Sequence, residues 1–218
     1  MAENPRQLPR TLWLGFSLLT GLMALAYLVS LAQLQRAHPG ALPVLGSIAD
    51  FTLTNQSGRV TTLADLTNQV WVGDIIFTRC AGPCPRLTRQ MQSLQELLPA
   101  SSTAKLVTLT TDPDFDTPAV LQKYGERFQA DPRRWFFLTG TKQEVAALAA
   151  GSLKLSAQAV KADDQKNAAD LFIHTTIFVV VDKHARLRAV FETGGEGVEW
   201  SAVQPRLLET IHQLEREP

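Results

Sequence analysis

Residues 69–78, "QVWVGDIIFT", restrict the fold more than any other stretch of the chain. A near-continuous run of β-branched and aromatic residues is the pattern of a strand covered on both faces. Such strands lie in sheets flanked by helices, so the neighbouring segments should carry helical patterns.

They do. Downstream, Pro85 stands where a first-turn proline is tolerated, and Leu87, Met91, Leu94 and Leu98 recur at helical spacing until Pro99 ends the run. "AKLVTLTT" (104–111) is a second buried strand. "DPDFDTPAVLQKYGERF" (112–128) then gives a turn, an N-cap at Asp116 or Thr117, Pro118 at the first helical position, and an apolar stripe of Val120, Leu121, Tyr124 and Phe128. "RRWFFLTG" (133–140) reads as a third strand, and "TKQEVAALAAG" (141–151) as a short helix opened by a Thr141–Glu144 capping box.

Before this series, "DFTLTNQSGRVTTLADL" (50–66) predicts a hairpin about its "NQSG" turn. After it, residues 152–170 are polar with weak periodicity and read as an exposed excursion. "LFIHTTIFVVVD" and "RLRAVFE" pair across "DKHA", and an amphipathic helix runs from about Ser201 to Glu215. The expected fold is α/β, a thioredoxin-like sandwich with an N-terminal hairpin and right-handed crossovers.

The N-terminal part differs. No residue from Thr11 to Gln35 is charged, and a helix over Thr11–Ala32 would span about 33 Å, enough for a hydrocarbon core. A cleaved signal peptide ending at Ser30-Leu31-Ala32 is the rival reading, but the apolar run exceeds the usual length of such a region. The expected organisation is a cytoplasmic tail (1–10), one transmembrane helix as anchor (11–34), a linker (35–46) and the thioredoxin-like domain (47–218). Arg6 and Arg10 precede the span and Arg36 follows it, which favours a cytoplasmic N-terminus and an exported domain. The three basic and one acidic side chains before residue 40 leave 18 basic and 20 acidic beyond it, and no basic patch suits a nucleic acid.

Both cysteines, Cys80 and Cys84, follow the first buried strand in "TRCAGPCPRLT". Their spacing permits a disulfide, but closing so short a loop removes little chain entropy, so a structural staple is their weakest use. Cys84 should begin a helix, where the unpaired N–H groups and the dipole favour its thiolate, with Arg79 and Arg86 adding positive potential. Those effects help a nucleophile and a metal ligand alike.

The histidines help to choose. His38 is in the linker, His184 in the "DKHA" turn and His212 in a charged helix, all expected in solvent. His174 opens a buried strand whose end, in a thioredoxin-like sandwich, lies beside the cysteine loop. Two thiolates and an imidazole form a soft three-coordinate set suited to Cu(I) and acceptable to Cu(II), whereas structural zinc would need a fourth ligand. "DPDFD" fails as a calcium loop because Thr117 and Lys123 stand where Gly and Glu are required. Asp74, six residues before Cys80 in the buried strand, is either a paired acid or, as in thioredoxins, an aid to proton transfer in thiol–disulfide exchange.

"IFTRCAGPCP" (76–85), "TDPDFDTPAVLQKYGERF" (111–128), "WFFLTG" (135–140) and "HTTIFVVVD" (174–182), in this order after a membrane anchor, resemble the Sco/SenC family. The resemblance implies a thioredoxin-fold copper-binding factor for assembly of the cytochrome c oxidase copper centre, with Cys80, Cys84 and His174 as copper ligands. Family members commonly place a proline and an acidic residue between the cysteines, where this chain has Ala81, Gly82 and Pro83. Ile173 likewise replaces an acidic residue before the histidine.

Two functions follow as expectations. The first is a membrane-anchored metallochaperone that hands copper to the oxidase copper-site subunit or another copper protein. The second is a thiol–disulfide oxidoreductase, with Cys80 and Cys84 as its catalytic pair, acting on the cysteines of a copper-site target and served by a thiol–disulfide reductant. Either would work on the exported side, in the bacterial periplasm or the mitochondrial intermembrane space.

Overall fold

The computed structural model describes residue 13 and residues 18–28, 42–155 and 176–218. Residues 18–28 are helical, with Leu18, Leu22, Met23 and Leu25 exposed. Among the described residues no helix is long and apolar enough to cross a membrane, and much of the expected anchor, 11–34, lies outside them. Pro43–Pro218 form a compact unit.

Among the described residues eight strands make one sheet: β1 (Gly46–Ser47), β2 (Thr52–Asn55), β3 (Val60–Thr62), β4 (Trp71–Ile76), β5 (Lys105–Thr110), β6 (Trp135–Thr139), β7 (Ile177–Val181) and β8 (Arg186–Glu192). Their order is β1-β8-β7-β4-β5-β6-β2-β3. β4, β5 and β6 are parallel, and the β7–β8 and β2–β3 hairpins flank them antiparallel. All six residues of β4 are buried, as its unbroken apolar run requires of a strand covered on both sides. The expected N-terminal hairpin forms because Asn55 Oδ1 accepts the Ser57 and Arg59 N–H groups at 3.0 and 3.1 Å, closing the turn at Gly58, whose φ is +74°.

Strand alternation divides the core. Trp71 and Ile75 join Val107, Leu109 and Leu138 in a cluster with Val145 and Leu148. Those last two come from α3 (Lys142–Ala146) and the wider π-helical turn that prolongs it over Ala147–Ser152. The capping box is present as expected, with Thr141 N donating to Glu144 Oε2 at 2.8 Å. Leu148, Ala149 and Ser152 are buried in the wide turn, and Ser152 Oγ accepts from Ala49 N at 3.1 Å.

The opposite face carries the chemistry. Asp74, Phe137 and Phe178 alternate onto it, beneath α1 (Cys84–Leu97), α2 (Pro118–Arg127) and α4 (Trp200–Arg216). Tyr124 of α2 meets Phe137 edge-on at 6.2 Å, and Trp200 of α4 meets Phe178 at 5.8 Å. Helix α1 buries Leu87, Met91 and Leu94, the stripe that its sequence spacing predicts.

Candidate metal centre

The cysteine loop leaves the carboxyl end of β4, the usual place for a site in an open α/β sheet. Cys80 N donates to Phe77 O at 3.2 Å, and Gly82 N donates to Cys80 Sγ at 3.3 Å. Pro83 O accepts from Arg86 N and Leu87 N, both at 3.0 Å, and so starts α1 with Cys84 as its first residue. Neither cysteine is in a disulfide, both are buried, 6% and 2% exposed, and the Cys84 thiol hydrogen-bonds to the Cys80 sulfur. Two adjacent soft sulfur donors fit a soft, thiophilic ion.

Cys84 departs from expectation. Its pKa is raised, first by the hydrogen bond to Cys80, then by burial, with the nearby charges of Cys80 and Asp74 adding to it. A backbone hydrogen bond at Phe77 opposes the rise and does not overcome it. The helix start alone would favour a thiolate, but a sulfur out of water keeps its proton.

Nor is Arg79 a source of free positive potential for the thiols. Arg79 is claimed by Asp112, whose Oδ2 accepts from Nη2 at 2.5 Å and Nε at 3.1 Å. Arg86 lies across Gly194, its guanidinium in the space that a Cβ there would take.

The "DPDFD" segment is a clamp on the loop. Asp116 is fully buried and accepts from Thr78 N at 3.0 Å, from the Thr78 hydroxyl, and from Thr110 Oγ1 at 2.5 Å. Together Asp112 and Asp116 fasten the two residues that precede Cys80. Sequence reading missed this and gave Asp116 only a capping role; the signal available was its separation by just five residues from the end of the second buried strand.

Asp74 is not the paired acid of the first expectation. It is fully buried, neither carboxylate oxygen has a hydrogen-bond partner, and burial raises its pKa to about 7. Thr108, its register partner on β5, pulls the other way but falls short of a hydrogen bond. Its charge reaches both Cys84 and Tyr124. Thr88 Oγ1 donates to Cys84 O at 2.9 Å, which leaves Tyr124 to donate to Thr88 at 2.8 Å.

His174 and His38 lie outside the described residues, and among those described no group of three His, Cys, Asp or Glu could hold a metal. His184 Nε2 lies 3.0 Å from Pro218 O, and His212 sits within α4. The described chain does carry Thr176, two residues after His174 in sequence. Thr193 N donates to Thr176 O at 2.7 Å, Thr176 Oγ1 donates to Gly194 O at 2.7 Å, and Gln90 Nε2 of α1 donates to Thr193 O at 2.9 Å. The start of β7 is thereby tied to the helix that Cys84 begins.

A family model described as SCO1/SenC matches residues 45–203. A SCO1 protein homolog of Bacillus subtilis is 32% identical over 141 residues, covering 64% of this chain and 70% of that protein. The structure of BsSco, a Sco family cytochrome c oxidase assembly protein in which a disulfide switch was identified, aligns with a TM-score of 0.64 at 25% identity. It covers 82% of this chain and all of that one. Copper-bound ScoI of Bradyrhizobium japonicum has the same fold, with a TM-score of 0.63 at 20% identity over 77% of this chain and 99% of that one.

Proposed function

The chain belongs to the SCO1/SenC family, and from that premise we propose that it is a membrane-anchored copper metallochaperone for assembly of the cytochrome c oxidase copper centre. The observation that carries this reading is the pair of buried, reduced thiols of Cys80 and Cys84, joined by a hydrogen bond. Copper is the cargo. Cys80 and Cys84 supply two soft donors and His174 the third, a set that holds Cu(I) and can yield it by ligand exchange. The copper bound in the ScoI relative supports this assignment. The acceptor is the oxidase copper-site subunit or another copper protein. Residues 11–34 anchor the chain, and the domain works on the exported side.

Anaerobic titration of the reduced protein with Cu(I), read by competition with a chromophoric chelator, tests the site. His174→Ala should weaken binding by at least about tenfold, and Cys80→Ser or Cys84→Ser should abolish it. Unchanged affinity in the His174 variant would sink the three-donor site.

A second reading is favoured by the buried, unpaired Asp74 behind Cys84. In it the chain is a thiol–disulfide oxidoreductase: the target is reduced as Cys80 and Cys84 become a disulfide, Asp74 takes the proton of the buried thiol, and a reductant restores the pair. The disulfide switch of the BsSco relative supports the chemistry. Single Cys→Ser variants should then trap a mixed disulfide with a dicysteine target peptide. Absence of any trapped species counts against this second activity while leaving copper binding intact.

A further inference from the structure

Beside the cysteine loop runs an open cleft of about 260 Å³ with no part in holding copper. Arg79 and Phe115 form one side of it, and Val120, Lys123, Tyr124 and Arg127 of α2 form the other. The Phe115 ring is 42% exposed, with the Arg79 guanidinium 4.2 Å from its centroid. Arg79, already committed to Asp112, holds the ring in place and adds little free charge.

Lys123 and Arg127 are different. They stand one helical turn apart on α2, a like-charge arrangement that works against the helix. Neither has a carboxylate partner among the described residues, and none of the residues lining the cleft is acidic. The nearby carboxylates are engaged elsewhere, Asp112 with Arg79, Asp114 with Lys142, Asp116 with Thr78 and Thr110, and Glu126, which lies between the two cations on α2, with Gln122 at 3.1 Å. A domain with slightly more acidic than basic residues thus gathers two cations without carboxylate partners, Arg127 with its guanidinium 5.8 Å from the Tyr124 ring centroid, and an exposed aromatic ring beside its cysteine loop. The cleft floor, Tyr124, is linked through Thr88 to the Cys84 carbonyl.

We propose that this cleft docks an acidic segment of the copper-accepting protein, with carboxylates on Lys123 and Arg127 and an apolar side chain against Phe115. The inference rests on the copper-delivery reading and adds to it the chemistry by which the acceptor is recognised. Docking there brings the acceptor's own ligands to the mouth of the Cys80–Cys84 loop. Unpaired charges at such a rim act chiefly by steering encounter and rejecting basic partners, so the interaction should be salt-sensitive.

The test uses the full-length metal-free protein and short cysteine-free fluorescein-labelled peptides in which one leucine is flanked by glutamates, serines or lysines. Fluorescence anisotropy should give saturable binding of the glutamate peptide alone, lost as salt rises from about 20 to 500 mM. Lys123→Glu with Arg127→Glu should weaken that binding by about tenfold or more and favour the lysine peptide. Phe115→Ala should weaken it without altering its salt dependence. Arg59→Glu with Arg133→Glu, the same charge change on exposed residues elsewhere, should leave it nearly unchanged.

Equal binding of the glutamate and serine peptides, no saturable binding, or an equal loss in the Arg59/Arg133 variant would each overturn the proposal. So would retention of the protein on anionic vesicles through Lys123 and Arg127 without peptide binding, which would assign the cleft to a lipid surface. Cu(I) affinity, measured on the same variants, should not change. Its loss from wild type would overturn the copper reading, whereas peptide binding alone decides the cleft.

Discussion

Asp116 holds Thr78 by both its backbone N–H, at 3.0 Å, and its hydroxyl, from a position 38 residues further along the chain. Thr78 is two residues before Cys80, so a carboxylate in the turn between β5 and α2 fixes the loop that follows β4. Asp116 is fully buried and its pKa is raised by burial against the pull of the Thr110 and Thr78 hydrogen bonds. Removing it would leave several buried donors without an acceptor.

Asp116→Ala should therefore destabilise the fold by about 2–3 kcal/mol and loosen the cysteine loop. Urea unfolding gives the first quantity, and amide exchange at Cys80 and Gly82 the second. A variant of native stability with native exchange would show that the clamp does not hold the loop.

Asp74 gives a pH dependence with a defined sign. Its folded pKa, about 7, lies above the ordinary 3.8, so the folded protein binds the extra proton between those values. Its contribution to stability is then fully present below the unfolded pKa and is lost as pH rises through the folded one. Asp74→Asn should change stability little near pH 4 and raise it by as much as about 4 kcal/mol near pH 8. Denaturant unfolding of both proteins across that range checks this; parallel stability curves would refute the buried-charge account.

The Cys84 thiol is held protonated first by its hydrogen bond to Cys80. In Cys80→Ala, Cys84 should titrate lower than in the wild type, yet above an ordinary cysteine, because burial and Asp74 remain. Adding Asp74→Asn should lower it again. Thiolate ultraviolet absorbance as a function of pH reads both steps, and an unchanged titration in Cys80→Ala would remove the sulfur–sulfur hydrogen bond as the leading cause.

A thiol that is protonated at neutral pH must release its proton when it binds copper. Apparent Cu(I) affinity of the reduced protein should thus rise about tenfold per pH unit for each proton displaced, and at least the Cys84 proton should be displaced near pH 7. Calorimetric titration in buffers of different ionisation enthalpy counts it. Binding without proton release would mean that Cys84 is not a ligand.

Much of this was legible in local pattern. The unbroken apolar run of β4, the stripe of Leu87, Met91 and Leu94, the Thr141–Glu144 box and the Asn55 turn are determined within a few residues, and each forms as its spacing predicts. The thiol chemistry was legible only in part. Helix-start reasoning placed Cys84 rightly at the first residue of α1 but assigned its protonation wrongly, because burial depends on what packs above the loop.

Sequence by itself determined the order of strands and helices, the pairing of Cys80 with Cys84 across a turn, and the likeness to a copper-handling family. Tertiary structure alone decided that Asp74 stands unpaired, that Asp112 and Asp116 clamp the loop, and that Lys123 and Arg127 are left over beside it. The reason is physical. Secondary structure follows from periodicity along the chain, whereas the fate of a charge depends on desolvation and on partners brought close from tens of residues away.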